Sequence, residues 1–207
     1  MKTRLRSFAP AVPYVAIFVG LYLVQNAWVA ILLYHGTMAA ILVADTPSGL
    51  GRAVRSGWNA RAAVAGVTAC VGSGILIYVL WPYIRLEGST MQETLSRLGL
   101  EGTSWLVFGV YFVTLHPLFE ELGWRCYLVP AARRPHWTDA AFAGYHVLVL
   151  ALFVTPPWVV VAVAVLALAS WGWRWVVRRQ AGLGVVLVSH SAADLSIFLA
   201  ATIIAAR

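Results

Sequence analysis

The chain has 207 residues, 61% of them hydrophobic and 11% charged, with a mean hydropathy of +0.79. So few polar residues cannot clothe a soluble domain of this size, and lipid must be its solvent. A formal charge of +7 raises nucleic acid as a partner, but the cations are scattered over short segments between apolar stretches and form no stripe, which excludes that class.

This composition predicts an all-α, polytopic transmembrane helical bundle of about seven spans, since a bilayer core asks for about 20 apolar residues per helix. The first apolar region, 12–44, is too long for one crossing at ~1.5 Å per residue, so it divides near Gln25–Trp28 into spans near 11–27 and 28–44. Met1 to Ala30 has the basic start and apolar run of a signal peptide, yet apolar sequence continues to Val43, and an uncleaved first helix is expected. Spans near 62–84, 104–130, 139–154, 157–173 and 183–204 follow, with 45–61 and 85–103 as the sizeable loops. Trp58, Trp81, Trp105, Trp137, Trp158, Trp171, Trp173 and Trp175 fall near span ends and predict an aromatic belt. Cys70 and Cys126 sit inside apolar stretches and read as small buried hydrophobes, with no disulfide framework.

Seven spans put four cationic loops on one side: Lys2, Arg4 and Arg6; Arg52, Arg55 and Arg61; Arg133 and Arg134; Arg174, Arg178 and Arg179. The other side holds Arg85, Arg97 and Arg207, diluted by Glu87, Glu93 and Glu101. The positive-inside rule then makes the amino terminus cytoplasmic. With one Lys against fourteen Arg the chain looks bacterial, and the inner (plasma) membrane is its expected location.

Ionisable groups inside spans cost about 2.5–3.5 kcal/mol each at a helix centre, so each needs a reason. Here the set is His35, His116, Glu120, Glu121, Arg125, His146, His190 and Asp194, most of it in three of the last four spans. Glu121 and Arg125, four apart on one helix face, are placed to pair, which leaves Glu120, turned by about 100°, free for other work. His146 and His190 each lie about eight residues in from the start of their spans and Glu120 about ten from the end of its own, so all three sit roughly 10–15 Å below the same surface and can meet. Asp194, one turn beyond His190, can orient that imidazole.

A carboxylate and an imidazole at one point activate water as a general base, while a second imidazole stabilises an oxyanion. The same three side chains can equally hold a divalent metal such as zinc that polarises a carbonyl and acidifies bound water. There is no HExxH pair, and Ser189 and Ser191, which flank His190 but face apart, make a poor serine triad. A Glu/His/Asp path through a membrane also suits an ion-coupled carrier, although the repeat of broken helices expected there is missing.

EELGWR at 120–125 with the CYLVPAARR that follows, FAGYH at 142–146 and HSAADL at 190–195, in that order, resemble the CPBP family of intramembrane proteases, which includes the CAAX prenyl endopeptidases and their bacterial relatives. The resemblance implies an endopeptidase acting on a membrane-associated peptide or protein, in which Glu120 activates water with help from His146, His190 helps form the oxyanion site, and Glu121 and Arg125 are architectural. It implies one transmembrane domain, 1–207, with variable spans at 1–103 and catalytic core spans at 104–204. A non-catalytic bacteriocin-immunity protein on the same fold is the other reading the family offers, and prenylated CAAX substrates are not expected. The family's third motif usually carries Asn where this chain has Asp194. An ionised carboxylate cannot donate to an oxyanion, so Asp194 is protonated, or orients His190, or marks reduced activity, and the second is the expectation. His116 is expected to start a helix or support the site from behind, and His35 and His136 to be interfacial.

Overall fold

The computed structural model describes residues 2–45, 49–128 and 133–207, with side chains from residue 5 onward. The end of the expected 104–130 span, part of the 45–61 loop, residues 129–132 of the CYLVPAARR run and the side chains of Lys2 and Arg4 lie outside the described residues. Nine helices and no strand make up what is described.

Among the described residues six helices are long and apolar enough to cross a membrane: α1 (Leu5–Leu23), α2 (Ala27–Ala44), α4 (Ala60–Ile84), α6 (Gly102–Tyr127), α8 (Pro156–Gln180) and α9 (Gly184–Ala205). Between them lie the shorter α3 (Leu50–Arg55), α5 (Met91–Arg97) and α7 (Trp137–Leu150). The expected loops at 45–61 and 85–103 thus each contain a short helix. The division of the first apolar region falls at 24–26, where Gln25 takes a positive φ of 54° and the Asn26 side chain accepts from Val29 N at 3.1 Å to begin α2. The last turn of α1 is π-helical, and Gly20 lies directly against Ala30, so that any larger residue would collide with the α2 backbone.

Contacts between connections sort the bundle into two ends. At one, Arg6 donates from Nε to the Tyr127 carbonyl at 2.8 Å, the Tyr127 hydroxyl donates to Asp45 at 3.0 Å, and Leu183 N donates to the Ala53 carbonyl at 2.8 Å. At the other, Ala27 N donates to the Leu98 carbonyl, Leu86 N to Phe153, and Thr155 N to Ile84. The described cations Arg6, Arg52, Arg55, Arg61, Arg133 and Arg134 therefore share one end. With 14 residues α7 is not among the helices long enough to cross a membrane, although its two ends meet connections at opposite ends of the bundle.

Two positions differ from the sequence expectation because α8 runs on to Gln180 instead of stopping near 173. Arg174 is consequently a buried helix residue and not a loop cation: it grips Asp139 of α7 through Nε–Oδ1 at 3.1 Å and Nη2–Oδ2 at 2.5 Å. Trp173 leaves the belt and points into the bundle.

The seat of α9 on α4 is built from small residues. Gly66, Cys70 and Gly74 recur every four positions along α4 and meet Ser189 and Ser196 of α9. Ser196 Oγ accepts from Gly74 N at 3.2 Å, and a Cβ at Gly74 would run into the Ser196 backbone. With that face held by α4, the neighbouring face of α9, which carries His190 and Asp194, turns towards α6. Outward, α4 and α8 expose Val64, Ile75, Val79, Val160, Val165 and Leu168, the surface expected against lipid tails.

Candidate active site

The α6 helix pauses at Leu115 and restarts at His116, because Pro117 lacks an N–H and crowds the preceding turn. From the restart, His116 and Glu120 are four apart on one face, and their Nε2 and Oε2 lie 3.7 Å apart. A π-helical stretch, Leu122–Tyr127, follows the glutamate pair and carries Arg125 on its wider turn. Arg125 Nε is 3.3 Å from Glu121 Oε2, and its guanidinium lies 4.3 Å over the Phe142 ring and 5.4 Å from that of Trp173.

His190 reaches in from α9 and touches both glutamates: Nδ1 is 2.9 Å from Glu121 Oε1, and Nε2 is 3.4 Å from Glu120 Oε2. Trp173 stacks on the ring at 4.5 Å. Tyr145 of α7 donates its hydroxyl to Glu120 Oε1. Behind His116, its Nδ1 lies 3.1 Å from His35 Nε2, and His35 Nδ1 lies 2.8 Å from the Tyr111 hydroxyl. Glu120 and Glu121 are fully enclosed, and His116, His190 and Asp194 are buried.

The structure thus brings Glu120, Glu121, Arg125, His190 and Asp194 together. His146 it holds differently: Nδ1 bonds the Phe142 carbonyl at 2.9 Å, the ring lies against Tyr145, and it is Tyr145 that contacts Glu120. Asp194 Oδ1 is 3.8 Å from His190 Nε2, beyond hydrogen-bond range, so Glu121 at 2.9 Å is the group that orients the imidazole. His35 is buried in the middle of α2 against His116 and is not interfacial, whereas His136 caps α7, accepting from Thr138 N. His116 joins the site itself. Its i, i+4 spacing to Glu120 was the available signal, and the position of His35 at mid-span was another; nothing in the sequence distinguished Tyr145 from its neighbour.

From the site a polar chain runs to the arginine-rich end. Arg125 Nη2 donates to Ser170 Oγ at 3.4 Å, Ser170 donates to Asp139 at 3.2 Å, and Asp139 holds Arg174. Glu120 Oε2, Glu121 Oε2, Arg125 Nε and Nη1, and Asp194 Oδ2 have no hydrogen-bond partner among the described residues. Buried polar atoms are nearly always bonded, so an orphaned carboxylate oxygen facing two imidazoles points to a ligand or water at that place. One ligand atom from each of His116, Glu120 and His190 lies within 4.8 Å of the other two, a grouping able to hold a metal ion.

No curated protein and no solved structure matches the chain. The family model described as type II CAAX prenyl endopeptidase Rce1-like matches residues 102–196, from the start of α6 into the middle of α9. Those residues include EELGWR, FAGYH and HSAADL, and with them His116, Tyr145 and Trp173, while Tyr34 and His35 of α2 lie outside them. The glutamate pair, its arginine and the two later histidines therefore stand within a domain of the Rce1-like type II CAAX prenyl endopeptidase family, to which residues 102–196 of this multi-pass chain belong.

Proposed function

We propose that the chain is an intramembrane endopeptidase that cuts a peptide bond of a membrane-associated peptide or protein, with water activated at Glu120. One observation carries the reading. Glu120 is wholly buried, its Oε2 has no hydrogen-bond partner among the described residues, and imidazole nitrogens from two helices face that oxygen, while the adjacent Glu121 is the carboxylate that holds the arginine.

Tyr145 occupies Oε1 and leaves Oε2 for a water proton. The hydroxide so formed attacks the scissile carbonyl carbon, and the charge developing on its oxygen is met by an N–H on His190 Nε2, whose ring is held from Nδ1 by Glu121; collapse of the adduct breaks the C–N bond as Glu120 returns its proton to the leaving amine nitrogen. The family resemblance gives His146, beside Tyr145 and half-buried, a share in handling the water. Glu121 and Arg125 keep the site in shape. The arginine-rich end faces the cytoplasm of a bacterial cell by the positive-inside rule, and a prenylated substrate is not expected.

The test is cleavage of fluorogenic membrane-associated peptides by the purified chain, with Glu120→Ala, His190→Ala and His146→Ala beside it. Loss of a positioned acid–base group costs about 10²–10⁴ in rate. Cleavage that survives both Glu120→Ala and His190→Ala refutes the site, and proton flux in vesicles without cleavage replaces the peptidase by a carrier.

A further inference from the structure

We infer that the cleft between residue 133 and the last turns of α8 binds an anionic phospholipid, with its phosphate on Arg133, Arg178 and Arg179 and an acyl chain along α8. The cleft lies apart from the glutamate pair, and the inference does not depend on the peptidase reading.

The cleft measures about 580 Å³, within the range of about 300–1,000 Å³ that ligand sites occupy, and is lined by those three arginines with Trp171 and Trp175. Its wall is held in place. The Arg133 carbonyl accepts from Trp171 Nε1 and from Arg178 Nη2, both at 3.3 Å, which ties the segment ahead of α7 across about two turns of α8. The Arg179 guanidinium lies 5.0 Å over the Trp175 ring, a contact that braces it and leaves its charge for a further partner. Asp139, the acid at this end of α7, is gripped by Arg174 instead. A concave surface whose charged groups are all arginines calls for an anion, and guanidinium forks match the paired oxygens of a phosphate.

The face of α8 that leads up to the cleft says which anion. Val161, Val165 and Leu168 recur at helical spacing in line with Trp171 and Trp175, and every one of them is exposed. The stripe is unbroken: apolar along the lipid-facing part of α8, aromatic at the level of the headgroups and cationic at its end. From Val165 to Trp175 the helix rises about 15 Å, half of a hydrocarbon core of about 30 Å, so an acyl chain lying on the stripe brings its phosphate to the arginines. An acidic peptide would meet the same charges but has no use for the apolar run beside them. Basic pockets next to membrane-spanning helices are where anionic headgroups are held.

The experiment places the full chain in phosphatidylcholine vesicles and adds phosphatidylglycerol or phosphatidylcholine with brominated acyl chains, reading the quenching of tryptophan fluorescence against mole fraction. Phosphatidylglycerol should quench at a lower mole fraction than phosphatidylcholine. An arginine near an anionic headgroup is worth about 5-fold in affinity, so Arg133→Gln combined with Arg179→Gln should abolish the preference or cut it about 25-fold. Arg52→Gln with Arg55→Gln removes the same charge from exposed positions of α3 at the same end and should leave the preference unchanged. Trp171→Phe with Trp175→Phe should remove the headgroup-dependent part of the quenching. Equal loss from the α3 pair makes the attraction diffuse and overturns the inference. So does an equal response of the parent to the two lipids, or headgroup-dependent quenching that survives without Trp171 and Trp175. Hexaglutamate bound through Arg133 and Arg179, with no preference among lipids, gives the cleft to an acidic peptide instead.

Discussion

Replacing Glu121 by glutamine leaves the guanidinium of Arg125 enclosed without its counter-charge. Arg125 is 2% exposed, its Nε stands 3.3 Å from Glu121 Oε2, and among the described residues neither Nε nor Nη1 has a hydrogen bond to fall back on. Removing one partner of a buried ion pair costs about 3–5 kcal/mol. Glu120→Gln is the matched control at the next residue. It removes a buried carboxylate with no cation of its own and keeps an acceptor for the Tyr145 hydroxyl, so its effect should stay within about 1 kcal/mol. For a chain of this length 1 kcal/mol moves Tm by about 2–4 °C, which separates a loss of roughly 6–20 °C from one below about 4 °C. The assay is thermal unfolding in detergent with chelator present, so that metal binding does not enter the comparison. Glu121→Gln combined with Arg125→Met should regain most of the loss, because the second change removes the guanidinium that the first leaves buried without its counter-charge. Equal shifts for Glu120→Gln and Glu121→Gln would refute the division of labour between the two glutamates.

Asp139→Asn should cost about 3–5 kcal/mol by removing the carboxylate opposite the buried Arg174 guanidinium, and a double-mutant cycle with Arg174→Met in denaturant titrations reads the coupling; independence of the two would remove the clamp between α7 and α8. Gly74→Val drives a side chain into the Ser196 backbone and should destabilise the chain by about 1–3 kcal/mol, whereas Gly72→Val, with open space at its Cβ, should be silent in the same unfolding assay. In α5, Glu93 accepts from Thr90 N at 2.8 Å, and that bond holds its carboxyl below the ordinary value of 4.5. A depressed carboxyl stabilises its helix above the unfolded pKa and ceases to as pH falls through the folded one, so amide protection of 91–97 should drop on acidification below the ordinary value, and Glu93→Gln should abolish that dependence.

Hydropathy and charge made most of the bundle legible. Gln25 and Asn26 marked the break in the first apolar region because a left-handed residue and a side-chain cap are local devices, and the cationic segments fell at one end because span parity fixes sidedness. The sequence misled where a residue's role depended on another helix. Trp173 and Arg174 sit at the expected end of a span by hydropathy, yet Asp139 and His190 draw them inward, and no periodicity in α8 reports a partner 35 residues away. The restart of α6 at His116 likewise needed the structure, since a proline can end a helix or reopen one a residue earlier.

Depth along a helix is one coordinate and rotation about its axis is the second. Spacing supplied the first for Glu120, His146 and His190 and could not supply the other. On α7 the two neighbours Tyr145 and His146 have nearly the same depth, and the turn of the helix gives the contact with Glu120 to Tyr145. On α9 the rotation is set from outside the matched family domain, by the seating of Ser189 and Ser196 on Gly66 and Gly74 of α4. His35 of α2, also outside it, fixes His116 from behind. The motifs that carry the family likeness therefore hold the reacting groups, while the first hundred residues decide where those groups point. A chain that kept 102–196 unaltered and lost the small residues of α4 would retain the glutamates and histidines and lose their convergence.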